Sequence, residues 1–236
     1  DYCVLGIFGP NSRSLMQDLS KDDFSNENFK FANSKYISIE NTKIWAQRLS
    51  YVGELGYELY IEIGDAKKIY NLIIEKGIKY KISNCGMHAL DIMRMESGFL
   101  HWGHDISPEE NQYQAGLSFA VNFKKNIDFI GKDALLKIKD QKPTKQFIML
   151  SLKDSKPGEP LLLHDEPIYM EDKIIGRTTS GNYSFNYKKN ISFGYINSGS
   201  SIKEIENKQL FIEVEKQKYP ATLELKPLKD KNIKLS

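Results

Sequence analysis

After Lys145 the chain loses helical periodicity, and this constrains its fold more than any other feature. Beyond a Lys-rich, Pro-containing stretch, "KDQKPTKQ" (139–146), come six short segments: "FIMLSL" (147–152), "PIYM" (167–170), "KIIGRTTS" (173–180), "ISFGYI" (191–196), "LFIEVE" (210–215) and "YPATLEL" (219–225). Short β-prone runs separated by turns close into a small barrel or sandwich. A domain boundary is expected at 140–146, giving domains over 1–140 and 146–236.

The first part reads differently. "CVLGIF" (3–8) is a strand, and Gly9-Pro10 opens a helix with Leu15, Met16 and Leu19 as its apolar stripe. "SKYISIE" (34–40), a turn at Asn41-Thr42 and "KIWAQRLSY" (43–51) predict a hairpin, followed by a strand over "GYELYIEI" (56–63). Gly53 and Gly56 bracket a tight turn. Helices are predicted over 65–76, with Ile69, Tyr70 and Ile73 on one face, and over 86–98, stopping at Gly98. A loop, "FLHWGHDISPEENQYQAG" (99–116), comes next. Strands alternating with helices imply an α+β layer.

Composition removes several function classes. With 40% hydrophobic and 11% aromatic residues the chain is globular. Its 33 basic and 31 acidic residues are interspersed, so there is no basic face for nucleic acid. Cys3 and Cys85 are too few for a disulfide framework. No apolar run approaches the roughly 20 residues of a membrane span, and a reducing cytoplasmic setting is expected. Residue 1 falls just before an apolar strand, which suggests a chain that opens in mid-fold.

Few residues offer chemistry. His101 and His104 flank Trp102-Gly103, with Asp105 adjacent, but three or four converging ligands are needed for a metal and the spacing fits no compact motif. Neither cysteine sits in a Cys-His signature, and "LGIFGP" lacks the glycine spacing of a dinucleotide loop. What remains is the strand at 56–63. Side chains alternate with period 2, so Tyr57, Leu59 and Ile61 share one face and Glu58, Tyr60 and Glu62 the other. That polar face is either a solvated edge or a site. A carboxylate accepts two parallel hydrogen bonds from a planar N–H/NH2 edge, such as that of a pterin or guanine, and an aromatic neighbour adds stacking area. The Trp102 loop and "RTTSGNYS" (177–184) are the other candidates.

Four stretches in order, "RLSYVGELGYELYI", "ALDIMRMESGFLHWGHDISPEENQYQAGL", "DFIGKDAL" and "IIGRTTSGNYSFNYKKNISFGYI", resemble the glycine-cleavage T-protein (aminomethyltransferase) family over about residues 3–225. "SYVGELGYEL" and "HWG" resemble the folate-binding C-terminal portions of sarcosine and dimethylglycine dehydrogenases more than the T-protein itself. The resemblance implies a ferredoxin-like α/β layer, a partial folate-binding domain, followed by a small antiparallel β-barrel. It implies tetrahydrofolate as cofactor, with FAD only if an upstream oxidase domain or partner chain supplies it. It implies that Glu58 binds the pterin edge and that Tyr60 and Tyr51 line the site; Trp102, from its loop, and Glu54, in the turn, are kept as further cofactor-binding candidates.

The sequence departs from the family pattern in places. Leu90 stands before Asp91 where an arginine is common, Arg94 reads first as structural, and Gln114 replaces a glutamate. No residue matches the family's catalytic aspartate, which belongs to an upstream region. No catalytic residue and no metal ligand is therefore assigned. The expected function is tetrahydrofolate-dependent one-carbon transfer in glycine, sarcosine or dimethylglycine catabolism. The chain is expected to act as a fragment or subunit that needs the missing N-terminal region or a partner, with self-association as a further expectation. The alternative is a non-catalytic folate-binding or subunit-interaction module.

Overall fold

The structure, a computed structural model, describes residues 1–125, 127–197 and 201–229. The chain divides into two compact units. One is Asp1–Ser97 together with Lys229; the other is Gly98–Leu228. The second unit holds the barrel, whose strands begin at Lys145, but it reaches back to Gly98. Residues 198–200 and 230–236 of the expected second domain lie outside the described residues.

The first unit is an antiparallel sheet with helices. Its strands are β1 (Tyr2–Phe8), β2 (Ser34–Ile39), β3 (Thr42–Gln47) and β4 (Gly56–Glu62), in the order β1-β4-β3-β2. Helix α1 (Ser12–Leu19) links β1 to the opposite edge, and α2 (Ile63–Gly77) follows β4. Alternation works as expected. Ile37, Ile39, Ile44, Ala46, Tyr57, Leu59 and Ile61 point inward and form one core with Leu15, Met16 and Leu19 of α1 and Ile69 and Ile73 of α2. Tyr70 departs from the expected helix face. It lies one position from Ile69 and is 37% exposed.

The hairpin between β3 and β4 is real, but its connection is not tight. β3 ends at Gln47, and residues 48–55 form an eight-residue link. Past Ser34 and Gln47 the β2–β3 pairing slips by a residue at Arg48, which donates to Asn33 O but accepts from Ala32 N–H, both 2.9 Å. Its guanidinium is buried and donates to Phe29 O at 2.6 Å. In this link Gly53 alone has positive φ, at +67°, and a Cβ there would come within 2.0 Å of Ser97 Oγ. Helix α3 (Met87–Glu96) ends before Gly98, whose φ is +70°.

In the second unit, α4 (Lys132–Ile138) precedes the barrel. The barrel strands are β5 (Lys145–Leu152), β6 (Pro167–Met170), β7 (Lys173–Ser184), β8 (Lys189–Asn197), β9 (Leu210–Val214) and β10 (Gln217–Glu224). They close in the order β10-β5-β8-β7-β6-β9, every pair antiparallel. Ile148, Leu150, Leu152, Ile168, Ile196, Leu210 and Ile212 fill the interior. One four-residue helical turn, α5 (Ile202–Ile205), interrupts the strands, so the loss of helical periodicity holds. Gly194 is required where β7 and β8 approach, since a Cβ would lie 2.5 Å from Arg177 O.

Candidate functional site

Glu58 and Tyr60 project from the sheet face opposite the core, as the period-2 argument requires, and both are half-buried. Tyr60 Oη donates to Glu58 Oε2 at 3.2 Å. Burial, and then the Glu58 charge and hydrogen bond, push the Tyr60 phenol above its ordinary pKa, so it stays a donor. That bond holds one carboxylate oxygen. The second accepts no hydrogen bond from any described residue.

Two aromatic residues missed by the sequence argument complete the surroundings. Trp45 on β3 pairs in register with Tyr60, with ring centroids 4.9 Å apart. Phe8 on β1 lies over Gly6 and Gly56, where added Cβ atoms would come within 2.4 Å and 2.1 Å of its ring. Gly6 is the register partner of Glu58. The absence of side chains at 6 and 56 makes room for the Phe8 ring over these two positions. The outward positions of the four strands carry two carboxylates, Glu58 and Glu62, and no aspartate.

The other candidates lie off the Glu58 strand. Tyr51 lies half-buried in the 48–55 link, off the strand. The Glu54 carboxylate is ion-paired with Lys229, whose backbone N–H donates to Glu96 O at 2.9 Å. Its charge is thus already met. Trp102 belongs to the second unit and is 65% exposed, in a loop turned by Gly103 at φ +93°.

The "HWGHD" and "RTTS" motifs prove to be one construction. Asp105 is 1% exposed. Its Oδ2 accepts His101 N–H at 2.9 Å, and its Oδ1 accepts Thr179 Oγ1 at 2.6 Å and Ser180 Oγ at 2.8 Å. Neighbours on a regular strand point to opposite faces, but the β7–β8 register slips between Thr178 and Ser180. A bulge of this kind re-aims side chains, and here both hydroxyls reach one carboxylate oxygen. Tyr195 Oη also donates to Asp105 O at 2.8 Å. Burial, with the charges of Glu110 and Asp105, pushes that phenol far up, so it remains a donor. Among the described residues no group of three His, Cys, Asp or Glu side chains could hold a metal.

Arg94 and Gln114 also have local partners. Arg94 is buried, and its Nε and Nη2 donate to Asp91 Oδ1 at 2.9 and 2.8 Å. Gln114 accepts Asn111 N–H at 3.0 Å and donates to Thr144 Oγ1 at 2.7 Å.

An α+β layer followed by a closed antiparallel barrel defines the class, and both parts match models of one family in the same order. Residues 1–125 match the GCVT N-terminal domain, and residues 145–230 match the glycine cleavage T-protein C-terminal barrel domain. The chain belongs to the glycine cleavage T-protein family. It is 35% identical to the mitochondrial dimethylglycine dehydrogenase of Homo sapiens over 95% of its length, and covers 25% of that protein. It is 30% identical to an aminomethyltransferase of Symbiobacterium thermophilum over 83% of its length, covering 52% of that protein. The chain thus spans a quarter to about half of these relatives. Aminomethyltransferase T of Bartonella henselae has the same fold, with TM-score 0.80 and 22% identity over 96% of this chain and 59% of that one.

Proposed function

We propose that this chain supplies the pterin-holding half of a tetrahydrofolate site for one-carbon transfer from a methylated amine of the dimethylglycine or sarcosine type. The observation that carries the reading is the half-satisfied Glu58 carboxylate. Tyr60 fixes one oxygen and so orients the group, while the other stays open beside the Tyr60 and Trp45 rings. A planar heterocycle edge with two adjacent N–H donors fits such a carboxylate. The family membership and the dimethylglycine dehydrogenase relative support the substrate class.

In this reading Glu58 binds and orients the heterocycle, Tyr60 sets the carboxylate rotamer, and the aromatic side chains exclude water. Tetrahydrofolate, when bound, supplies the nucleophilic nitrogen that accepts the one-carbon unit. Holding the reactants close is the rate gain this surface can provide. Proton transfer needs a further acid-base group, and the sheet face carries no aspartate for it. The chain alone therefore binds folate without making methylenetetrahydrofolate above the uncatalysed rate.

The test is calorimetry of tetrahydrofolate with the purified chain and with Glu58→Ala. The expected loss is about 1–3 kcal/mol, the cost of removing one partner of a charged hydrogen bond. Unchanged affinity removes Glu58 from the site. Spectroscopic turnover by the chain alone, above background, overturns the division of labour between binding and proton transfer.

A further inference from the structure

The two edges of the first unit's sheet are built differently. At the β2 edge the fold covers its own backbone. Ser38 N–H donates to Asp22 Oδ2 at 2.9 Å, Ile39 bridges to Ser20, and Lys35 Nζ donates to Asp23 O at 2.6 Å. Natural proteins blunt exposed strand edges by such means. The β1 edge has none of them. Its sequence, "YCVLGIF", carries no charge and no proline, and Tyr2 and Val4 are 66% and 51% exposed. Strand register shows which backbone groups are left over. Asp1 O accepts Ile63 N–H at 3.1 Å, and Gly9 N–H donates to Leu55 O at 2.9 Å, both in step with the β1–β4 pairing. Bonded pairs in an antiparallel ladder fall on every second residue, so Cys3, Leu5 and Ile7 bond to β4. Tyr2, Val4, Gly6 and Phe8 turn their N–H and C=O groups to the open side, where no described strand pairs with them.

We propose that this edge pairs with β1 of a second copy of the chain, antiparallel about a two-fold axis. Centring the axis on Leu5 uses the whole edge. Tyr2 then meets Phe8 of the other copy, Val4 meets Gly6, Cys3 meets Ile7 and Leu5 meets Leu5. The four residues with open backbone groups pair only with one another, so every bond the edge offers finds its partner. With no charge on the strand, no like charges oppose across the axis. The surface is thus self-complementary, as a two-fold interface requires. Leu5 and Cys3, only partly buried in one copy, are covered further from the edge. An axis normal to the sheet leaves both Glu58 residues on the same side of one continuous sheet, with the helices of both copies on the other.

The test is sedimentation of the purified chain over a dilution series, where a reversible dimer is expected. Val4→Pro removes only an outward N–H, so the β1–β4 ladder stays intact, and the unfolding midpoint at high dilution should match wild type. Each copy loses one bond across the axis, so the dimer dissociation constant should rise about 10-fold or more. Val4→Lys, the milder variant, puts a charge on the edge and should act in the same direction. Register is read by disulfide trapping in a Cys3→Ser, Cys85→Ser background. Leu5→Cys should cross-link to its own copy, because opposed residues that share no backbone bond sit about 4.5 Å apart at Cα, within the disulfide range. Native Cys3, opposite Ile7 in this register, should not cross-link in a Cys85→Ser chain. A monomer at every concentration overturns the proposal, whatever other strand the edge accepts. A dimer that persists in Val4→Pro while Leu5→Cys stays reduced uses another face and overturns it as well. No ligand enters the test, so its outcome leaves the Glu58 reading untouched.

Discussion

Glu58 and Asp105 are both carboxylates near aromatic rings, and the contrast between them separates the proposed site from scaffold. Asp105 is 1% exposed and accepts from a backbone N–H and two hydroxyls. Glu58 is half-buried and accepts from Tyr60 alone among the described residues. A buried carboxylate must have its hydrogen-bonding capacity met within the fold. One left half-met, on a face with exposed rings, has capacity to spare for a ligand. The comparison warns against motif-level reasoning, because "HWGHD" carries two histidines and an aspartate and still builds an anchor.

The largest effect should come from Asp105→Ala. Removing the carboxylate strands Thr179, Ser180 and the His101 N–H, and each buried group left unsatisfied costs about 1–3 kcal/mol. Partial rehydration of the loop limits the total, so a loss of about 2–4 kcal/mol is expected in denaturant unfolding. Glu58→Ala should stay within about 0.5 kcal/mol, as for a surface change, while losing ligand. If the two variants were equally destabilised, the division between anchor and site would break.

Glu110 sharpens the contrast from the same loop. Burial raises its pKa, but hydrogen bonds from Lys145 and from Ser107, through both N–H and hydroxyl, outweigh this and hold the carboxyl below its ordinary value. A group depressed on folding contributes stability above its unfolded pKa and loses it as pH falls through the folded one. The protein should therefore lose stability on acidification from about pH 5 downward. Glu110→Gln should be less stable at pH 7 by about 1–2 kcal/mol, with a flatter acid limb in pH-dependent unfolding. An unchanged acid limb would show that the Lys145 and Ser107 hydrogen bonds do not hold the Glu110 carboxyl down.

These particulars show what the sequence can and cannot convey. Strands and the three α-helices of the first unit were legible because period 2 and period 3.6 are local signals. The end of β3 was not, because "IWAQRLSY" continues to alternate while the Arg48 backbone bonds to residues 32 and 33. Glu58 and Tyr60 were legible as two positions on one strand. Trp45 and Phe8 were not, since register between strands is non-local. The Asp105 anchor joins residues 74 and 75 positions apart, and only a bulge lets Thr179 and Ser180 serve together. No spacing rule contains that.

Gln114 gives the smallest effect and the finest test of what satisfaction means. Its amide accepts from the Asn111 N–H and donates to the Thr144 hydroxyl, and the side chain is 9% exposed. In Gln114→Glu the accepting oxygen is unchanged. The donor is lost, but a hydroxyl rotates and can donate to the new oxygen instead. Both bonds therefore survive, and the remaining cost is desolvation of the charge. The loss at pH 8 should be about 1 kcal/mol or less. Desolvation raises a carboxylate pKa, so the folded variant takes up its proton before the unfolded chain does. Once protonated, the substituted side chain again donates to Thr144 while accepting from Asn111, as glutamine does. The stability gap to wild type should thus narrow as pH falls from 8 to 5, opposite in sign to the acid response of Glu110. A gap that widened on acidification would show that the new carboxylate had gained a cationic partner, and that the loop tolerates a further charge where the structure supplies neutral donors and acceptors.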